Sequence, residues 1–345
     1  MAELILHHFA ASPFSEKLRT VMGFKSLAWK SVTVPAMMPK PDVVALTGGY
    51  RRTPFLQIGA DVYCDTALVC DVLEQRQPSP SLYPRAGAAL ARIVAQWADD
   101  SLFWAAVRHN RGPMGSGLQF GGPPEQARAL FDDRKAMGFD LEWQRPQDAT
   151  VPYQTYLRRL AELLDARPFL LGEQPCIADF CAYHPLWLAH LRTAPAQDVL
   201  APWPLVAHWL ARMQAIGHGR MQPMDAGEAI ALAAQSEPLP PGANGLPDGD
   251  WVDVHGCAPG SQVAIAAQSF GTEATQGILV AATRTHYTVR HESARAGHVH
   301  VHFPRIGYVL RQLASERTDM ETQRPDRALT HICEPANGPD RVARR

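Results

Sequence analysis

The stretch SEPLPPGANGLPDGD, from Ser236 to Asp250, constrains the fold more than any other feature of the chain. Its prolines and glycines cannot continue a helix, and the spacing of apolar residues changes across it. Before it, Leu90, Ile93, Val94 and Trp97, and again Leu157, Leu160, Ala161 and Leu164, recur at helical spacing and predict buried helix stripes. After it, Val263, Ile265 and Ala267 alternate with small or polar residues. Thr285, Tyr287 and Val289 do the same, and so do Val299, Val301 and Phe303, which is the period of a strand. The change of period marks a boundary, and 345 residues with 46% apolar content are enough for two or three domains with real cores. The segment 237–250 therefore reads as a linker. Residues 251–315 read as a small all-β, barrel-like domain, and the polar stretch 316–345 as a loosely held tail.

The first 84 residues carry a third pattern. Leu4 to Phe9 reads as a strand, Pro13 to Phe24 as a helix, and Trp29 to Val34 as a second strand, followed by a loop through Thr47-Gly48-Gly49. Phe55 to Ile58 and Val62 to Cys64 are short strands around the hairpin signal Gly59-Ala60-Asp61. Asp65 then opens a helix with Leu68, Val69, Val72 and Leu73 on one face. This order predicts a small mixed sheet with helices packed on it. Residues 85–236 are helical, with Pro204 to Ile216 and Asp225 to Ala234 as closing helices. The chain is thus expected to be multidomain: α/β, then all-α, then all-β.

Composition narrows the function classes. A net charge of -1 supplies no field that would draw nucleic acid or an anionic membrane. The six cysteines are scattered without a C-x-x-C pair, which suits a reducing compartment. No run approaches the roughly 20 apolar residues of a spanning helix, and MAELILHHFAA lacks a basic leader. A soluble cytoplasmic protein is expected.

Chemistry concentrates at two places. Ser12 is suited to cap a helix and Pro13 to begin one, which would explain both residues without any function. The same geometry offers free N–H groups and a partial positive charge to an anion such as a thiolate, with a serine hydroxyl as donor. Lowering a thiol pKa by about two units takes roughly 3 kcal/mol of preferential thiolate stabilisation. Further on, Arg52-Thr53-Pro54 precedes a strand and Cys64-Asp65-Thr66 opens a helix. An X-Pro bond there can be cis and leave the Thr53 backbone free to pair with an extended peptide. Asp65 is an acceptor for an α-ammonium, and Thr66 with the helix N–H groups suits an α-carboxylate. Together these residues would receive a γ-glutamyl head, a peptide middle and a thiolate end.

These stretches resemble the glutathione transferase superfamily over about the first 235 residues. SPFSEKLR is similar to that family's S-x-x-x or C-P-F-x start of the first helix. RRTPFLQIGADVYCDT resembles its V-P-x-L…E-S signature, with Thr53-Pro54 for Val-Pro and Asp65-Thr66 for Glu-Ser. CIADFCAYHPLW resembles its S-I-A-D capping box, with Cys176 in the capping place and Asp179 as reciprocal cap. The resemblance implies a thioredoxin-like domain followed by an all-helical one. Ser12 would be the catalytic residue, with Ser15 able to share the role; Thr53 and Pro54 would hold the cysteinyl backbone, Asp65 and Thr66 the γ-glutamyl group, and Arg52 the glycyl carboxylate. A serine in place of cysteine favours conjugation of a bound thiol to a small, mostly apolar electrophile over disulfide exchange. Glutathione would be the co-substrate and the protein a homodimer, the helix after Asp65 packing on the partner's first long helix. The alternatives are a glutathione-binding protein without turnover, or a glutathione-dependent lyase, dehalogenase or isomerase.

Other signals are weaker. His298, His300 and His302 share a strand face, but no cysteine or carboxylate at a fitting spacing completes a metal set, so no metal is expected. The strand is read as solvated or facing a partner, and the C-terminal β domain as an interaction module. Cys64 and Cys70 read as core residues. Trp104, His109 and Phe120 are candidates to line an acceptor pocket.

Overall fold

A computed structural model describes residues 2–111, 124–138, 146–192, 199–243, 245–246, 250–252 and 254–313. Phe120 and the expected tail 316–345 lie outside the described residues. The chain up to Leu313 is one compact unit.

The first region runs β1 (Ile5–His8), α1 (Pro13–Phe24), β2 (Ala28–Thr33), α2 (Pro41–Thr47), β3 (Phe55–Ile58), β4 (Asp61–Cys64) and α3 (Thr66–Arg76). Strand β1 pairs parallel to β2 and antiparallel to β3, and β3 pairs antiparallel to β4. The helix α2 falls where the sequence suggests only a loop. Pro41 pre-sets its first turn, and Gly48 ends it at φ 71 in the left-handed region that glycine adopts without strain.

The helical region holds α4 (Ala88–Trp97), a π-helical turn at Ala98–Leu102, α5 (Phe103–Arg111), α6 (Pro124–Ala136), α7 (Pro146–Leu164), α8 (Ile177–Leu186) and α9 (Pro204–Ala215). The Asp179 carboxylate accepts from the backbone N–H of Cys176 at 3.0 Å, as the capping reading expects, and also from Leu170 N and the Trp209 indole. The stripe on α7 is buried as predicted, but the one on α4 is not: Leu90 is 53% and Ile93 65% exposed. Ala91, Ala95 and Ala98 take the inward face instead, on the side where α4 meets α8. A short strand β5 (Arg220–Pro223), unforeseen in the sequence, then pairs with the outer edge of β2, ahead of α10 (Ala226–Ala234).

The C-terminal strands are β6 (Gln262–Ala267), β7 (Thr275–Ala282), β8 (His286–Ser293), β9 (Gly297–Pro304) and β10 (Tyr308–Gln312). The expected all-β layer is there, and its strands join the first sheet. Strand β9 pairs parallel to β4, Val62 opposite Val301, so a single ten-stranded sheet runs β10-β6-β7-β8-β9-β4-β3-β1-β2-β5. The layer curls over α2. Val43 and Leu46 share one core with Val62 of β4 and with Val263, Leu279 and Val301, each such side chain worth about 1.5–3 kcal/mol when fully buried. The approach is close: a Cβ on Gly49 would lie 2.2 Å from the Ala274 carbonyl oxygen. The linker is anchored too, since Leu239 N donates to Asp61 and Leu246 is buried in a second core, with Leu18 of α1, Leu68 of α3, Leu157 of α7 and Trp209 of α9.

The histidine strand finds its partner inside the chain. His302 Nε2 lies 2.9 Å from the buried carboxylate of Asp61, its Nδ1 2.9 Å from Thr288 Oγ1, and its ring stacks on Tyr63. His298 remains exposed. Among the described residues no group of three or more His, Cys, Asp or Glu is arranged to hold a metal.

Candidate active site

The strand register brings three turns to one end of the sheet. β1 leads into Ser12; β3, antiparallel to it with Phe55 opposite His7, is entered from Thr53-Pro54; β4, with Cys64 opposite Phe55, leads into Asp65-Thr66. Ser12, Thr53, Pro54, Asp65 and Thr66 therefore converge although more than fifty residues separate the first from the last.

Ser12 caps α1, its hydroxyl accepting from Ser15 N at 3.2 Å, and its side chain stays half-exposed. Ser15 is fully buried, and its hydroxyl accepts from Phe9 N. Of the two serines, only Ser12 is partly exposed. The Thr53-Pro54 peptide bond is cis. Asp65 caps α3 with φ 75, a left-handed conformation that costs a non-glycine residue of order 1–3 kcal/mol. Its Oδ1 accepts from Ala67 N and its Oδ2 from the Tyr308 hydroxyl at 3.2 Å.

Thr66 Oγ1 accepts from the buried Lys17 ammonium at 2.9 Å, a bond that does not use the threonine proton. Lys17 also donates to Asp99, which sits in the π-helical turn, and Asp99 accepts from His184 Nε2 at 2.9 Å. Burial alone would push the Lys17 pKa down and that of Asp99 up. Their mutual attraction outweighs it in both, so the pair stays charged. His184 is pushed down by burial and is neutral, with Nδ1 buried and unpaired among the described residues.

Cations flank Thr53. Arg52 donates to the Phe270 carbonyl and lies over the Tyr308 ring. Lys40 Nζ donates to Arg51 O at 3.2 Å and to Thr53 Oγ1 at 3.3 Å. Burial, then the charges of Arg134 and Arg51, lower its pKa to about 8. Arg51 and Arg134 are paired with carboxylates of Asp133 and Glu273, whereas Lys40 and Arg52 make no such pair among the described residues. Beside Ser12, the half-buried rings of Phe14, Phe103, Trp104 and Phe270 form a chain of aromatic contacts. His109, expected to line the same pocket, is instead buried against Thr150 and Tyr153.

A GST-like protein from Pseudomonas syringae is 39% identical to this chain, with a TM-score of 0.74, and the match covers 91% of this chain and 100% of that one. The chain belongs to the glutathione S-transferase superfamily. Family models agree: the glutathione S-transferase N-terminal domain matches residues 6–81 and the C-terminal domain residues 147–212. More distant likenesses include a glutathione S-transferase from Rhodospirillum rubrum F11, 22% identical, with a TM-score of 0.46 over 61% of this chain and 88% of that one. Another is the β-etherase LigF from Sphingobium sp. strain SYK-6, 19% identical, with a TM-score of 0.46 over 61% and 95%. No match is found among the curated proteins. The match to the Pseudomonas relative spans more of this chain than the two transferase domain models do.

Within this transferase fold, Lys17, Lys40 and Tyr308 reach the site without any local sequence signal. Two are isolated lysines, and the third is more than two hundred residues from its partner Asp65. Only an unpaired buried charge or a long-range contact marks them.

Proposed function

We propose that the protein binds glutathione across the end of the first sheet and activates its thiol at Ser12 for attack on a small, mostly apolar electrophile. The convergence of Ser12, Thr53-Pro54 and Asp65-Thr66 on one cleft carries this reading, on the background of a superfamily whose name states that chemistry. The Ser12 hydroxyl and the α1 N-terminus would stabilise the thiolate without a covalent enzyme intermediate. The Thr53 backbone would pair with the cysteinyl unit. Asp65 would receive the α-ammonium, and Thr66, with the first N–H groups of α3, the α-carboxylate. Lys40 and Arg52, as cations lacking carboxylates, suit the glycyl carboxylate. The aromatic chain from Phe14 to Phe270 suits an apolar acceptor.

Calorimetric titration of glutathione into wild type and Asp65→Ala, followed by a chlorodinitrobenzene assay, tests the reading. Glutathione should bind the wild type and bind Asp65→Ala at least tenfold more weakly, the scale of one lost charge-assisted contact. Ser12→Ala should keep most of the affinity and lose most of the rate. A wild type that ignores millimolar glutathione would sink the proposal, and a Ser12→Ala variant of unchanged rate would leave a binder whose chemistry does not run through that serine.

The exposed Leu90 and Ile93 on α4 favour a homodimer in which α3 packs on the partner's α4. Cytoplasmic residence and a role in detoxification accord with this reading.

A further inference from the structure

Asp65, on which recognition of the γ-glutamyl ammonium rests, is not held by its own domain alone. Its Oδ1 is taken by Ala67 N at 2.9 Å, and its Oδ2 by the hydroxyl of Tyr308, on β10 of the C-terminal layer, at 3.2 Å. Tyr308 is 3% exposed, its ring packs on Phe303, and its oxygen lies 3.5 Å from the Tyr50 hydroxyl. Burial raises the Tyr308 phenol far above its ordinary pKa, so it stays a donor. A carboxylate oxygen accepts two hydrogen bonds. With one donor on each oxygen, the Asp65 carboxylate is fixed in rotation and retains a free acceptor position on each side.

The same ring bears on a second charge. The Arg52 guanidinium lies 5.9 Å from the Tyr308 ring centroid and donates to the Phe270 carbonyl, in the loop joining β6 to β7. The C-terminal layer thus supplies both a donor to Asp65 and an acceptor for Arg52.

We propose that Tyr308 is a positioning residue of the glutathione site, which orients Asp65 for the γ-glutamyl ammonium and makes the C-terminal β layer part of the ligand-binding machinery. This rests on the glutathione reading given above. It assigns the layer a role in ligand selection rather than in docking another protein.

The test is calorimetric titration of wild type, Tyr308→Phe, Asp65→Ala and the double variant. Two ligands are used: glutathione, and glutaryl-cysteinylglycine, which lacks only the α-ammonium. Tyr308→Phe keeps the ring and its packing. It should weaken glutathione binding roughly fivefold to tenfold, the scale of one ordinary hydrogen bond, because the lost bond positions Asp65 and does not touch the ligand. The des-amino ligand should be affected less than about twofold, and the substitution should add nothing in the Asp65→Ala background. An equal loss for both ligands would mean a structural role only, and tighter glutathione binding would mean that Tyr308 masks Asp65; either overturns the proposal, as does no loss at all. A wild type that binds both ligands equally well keeps the glutathione reading and removes this one. A wild type that binds neither removes both.

Discussion

Replacing Lys40 by methionine should stabilise the unliganded protein near neutral pH while weakening its hold on glutathione. Lys40 is 3% exposed, and its pKa falls from 10.5 to about 8 because burial and the nearby Arg134 and Arg51 disfavour its charge. At about 1.4 kcal/mol per unit, holding the charged form costs the fold on the order of 3 kcal/mol. Hydrogen bonds to Arg51 O and Thr53 Oγ1, worth about 1 kcal/mol each, offset part of that. The net gain for Lys40→Met is therefore about 1 kcal/mol below pH 8, or a few degrees in Tm. The sign with pH follows from proton binding. Between about 8 and 10.5 the unfolded chain holds more protons at this position than the native one, so wild-type stability rises through that window and the advantage of the variant shrinks. Binding should show the same linkage. A glycyl carboxylate at Lys40 restores its charge, so S-methylglutathione, which has no titrating thiol, should draw in about half a proton more at pH 8 with wild type than with Lys40→Met. Calorimetry in buffers of different ionisation enthalpy reads this directly. A variant that is destabilised equally at pH 7 and pH 10, with no difference in proton uptake, would refute the reasoning.

Two further predictions concern assembly and the join between layers. Asp61→Ala leaves His302 Nε2 and Leu239 N without their buried acceptor, and should cost about 2–4 kcal/mol in urea unfolding; a loss under about 1 kcal/mol would mean that the β4–β9 pairing holds without it. Leu90→Glu with Ile93→Glu touches no buried contact within the chain and should convert dimer to monomer in light scattering at unchanged Tm, whereas a dimer that survives places the interface elsewhere.

What the sequence discloses depends on how local each cause is. Ser12-Pro13 and Asp65-Thr66 mark helix starts within four residues, and the hairpin at Gly59-Ala60-Asp61 sets its own register, so both were legible. The helix α2 was not, because seven residues between Pro41 and Gly48 hold too few turns for a periodicity. Spacing also reports which residues share a face without saying what covers that face. This is why Leu90 and Ile93 read as core and prove exposed, and why the histidines of β9 read as outward although His302 lies against Asp61. Strand alternation likewise could not tell a self-closing barrel from a layer that continues the neighbouring sheet.

That continuity sets an order of events during synthesis. The cleft residues Ser12 to Thr66 leave the ribosome early, yet β4 keeps an unpaired edge until β9 has emerged, and Asp65 lacks its second donor until Tyr308 follows. Domains fold largely in the order they are made, so the nascent transferase portion must wait with an open strand edge, a template for unwanted pairing. A chain terminated in the linker would be fixed in that waiting state, with half of the core around α2 missing. Its expected fate is aggregation rather than a smaller working enzyme.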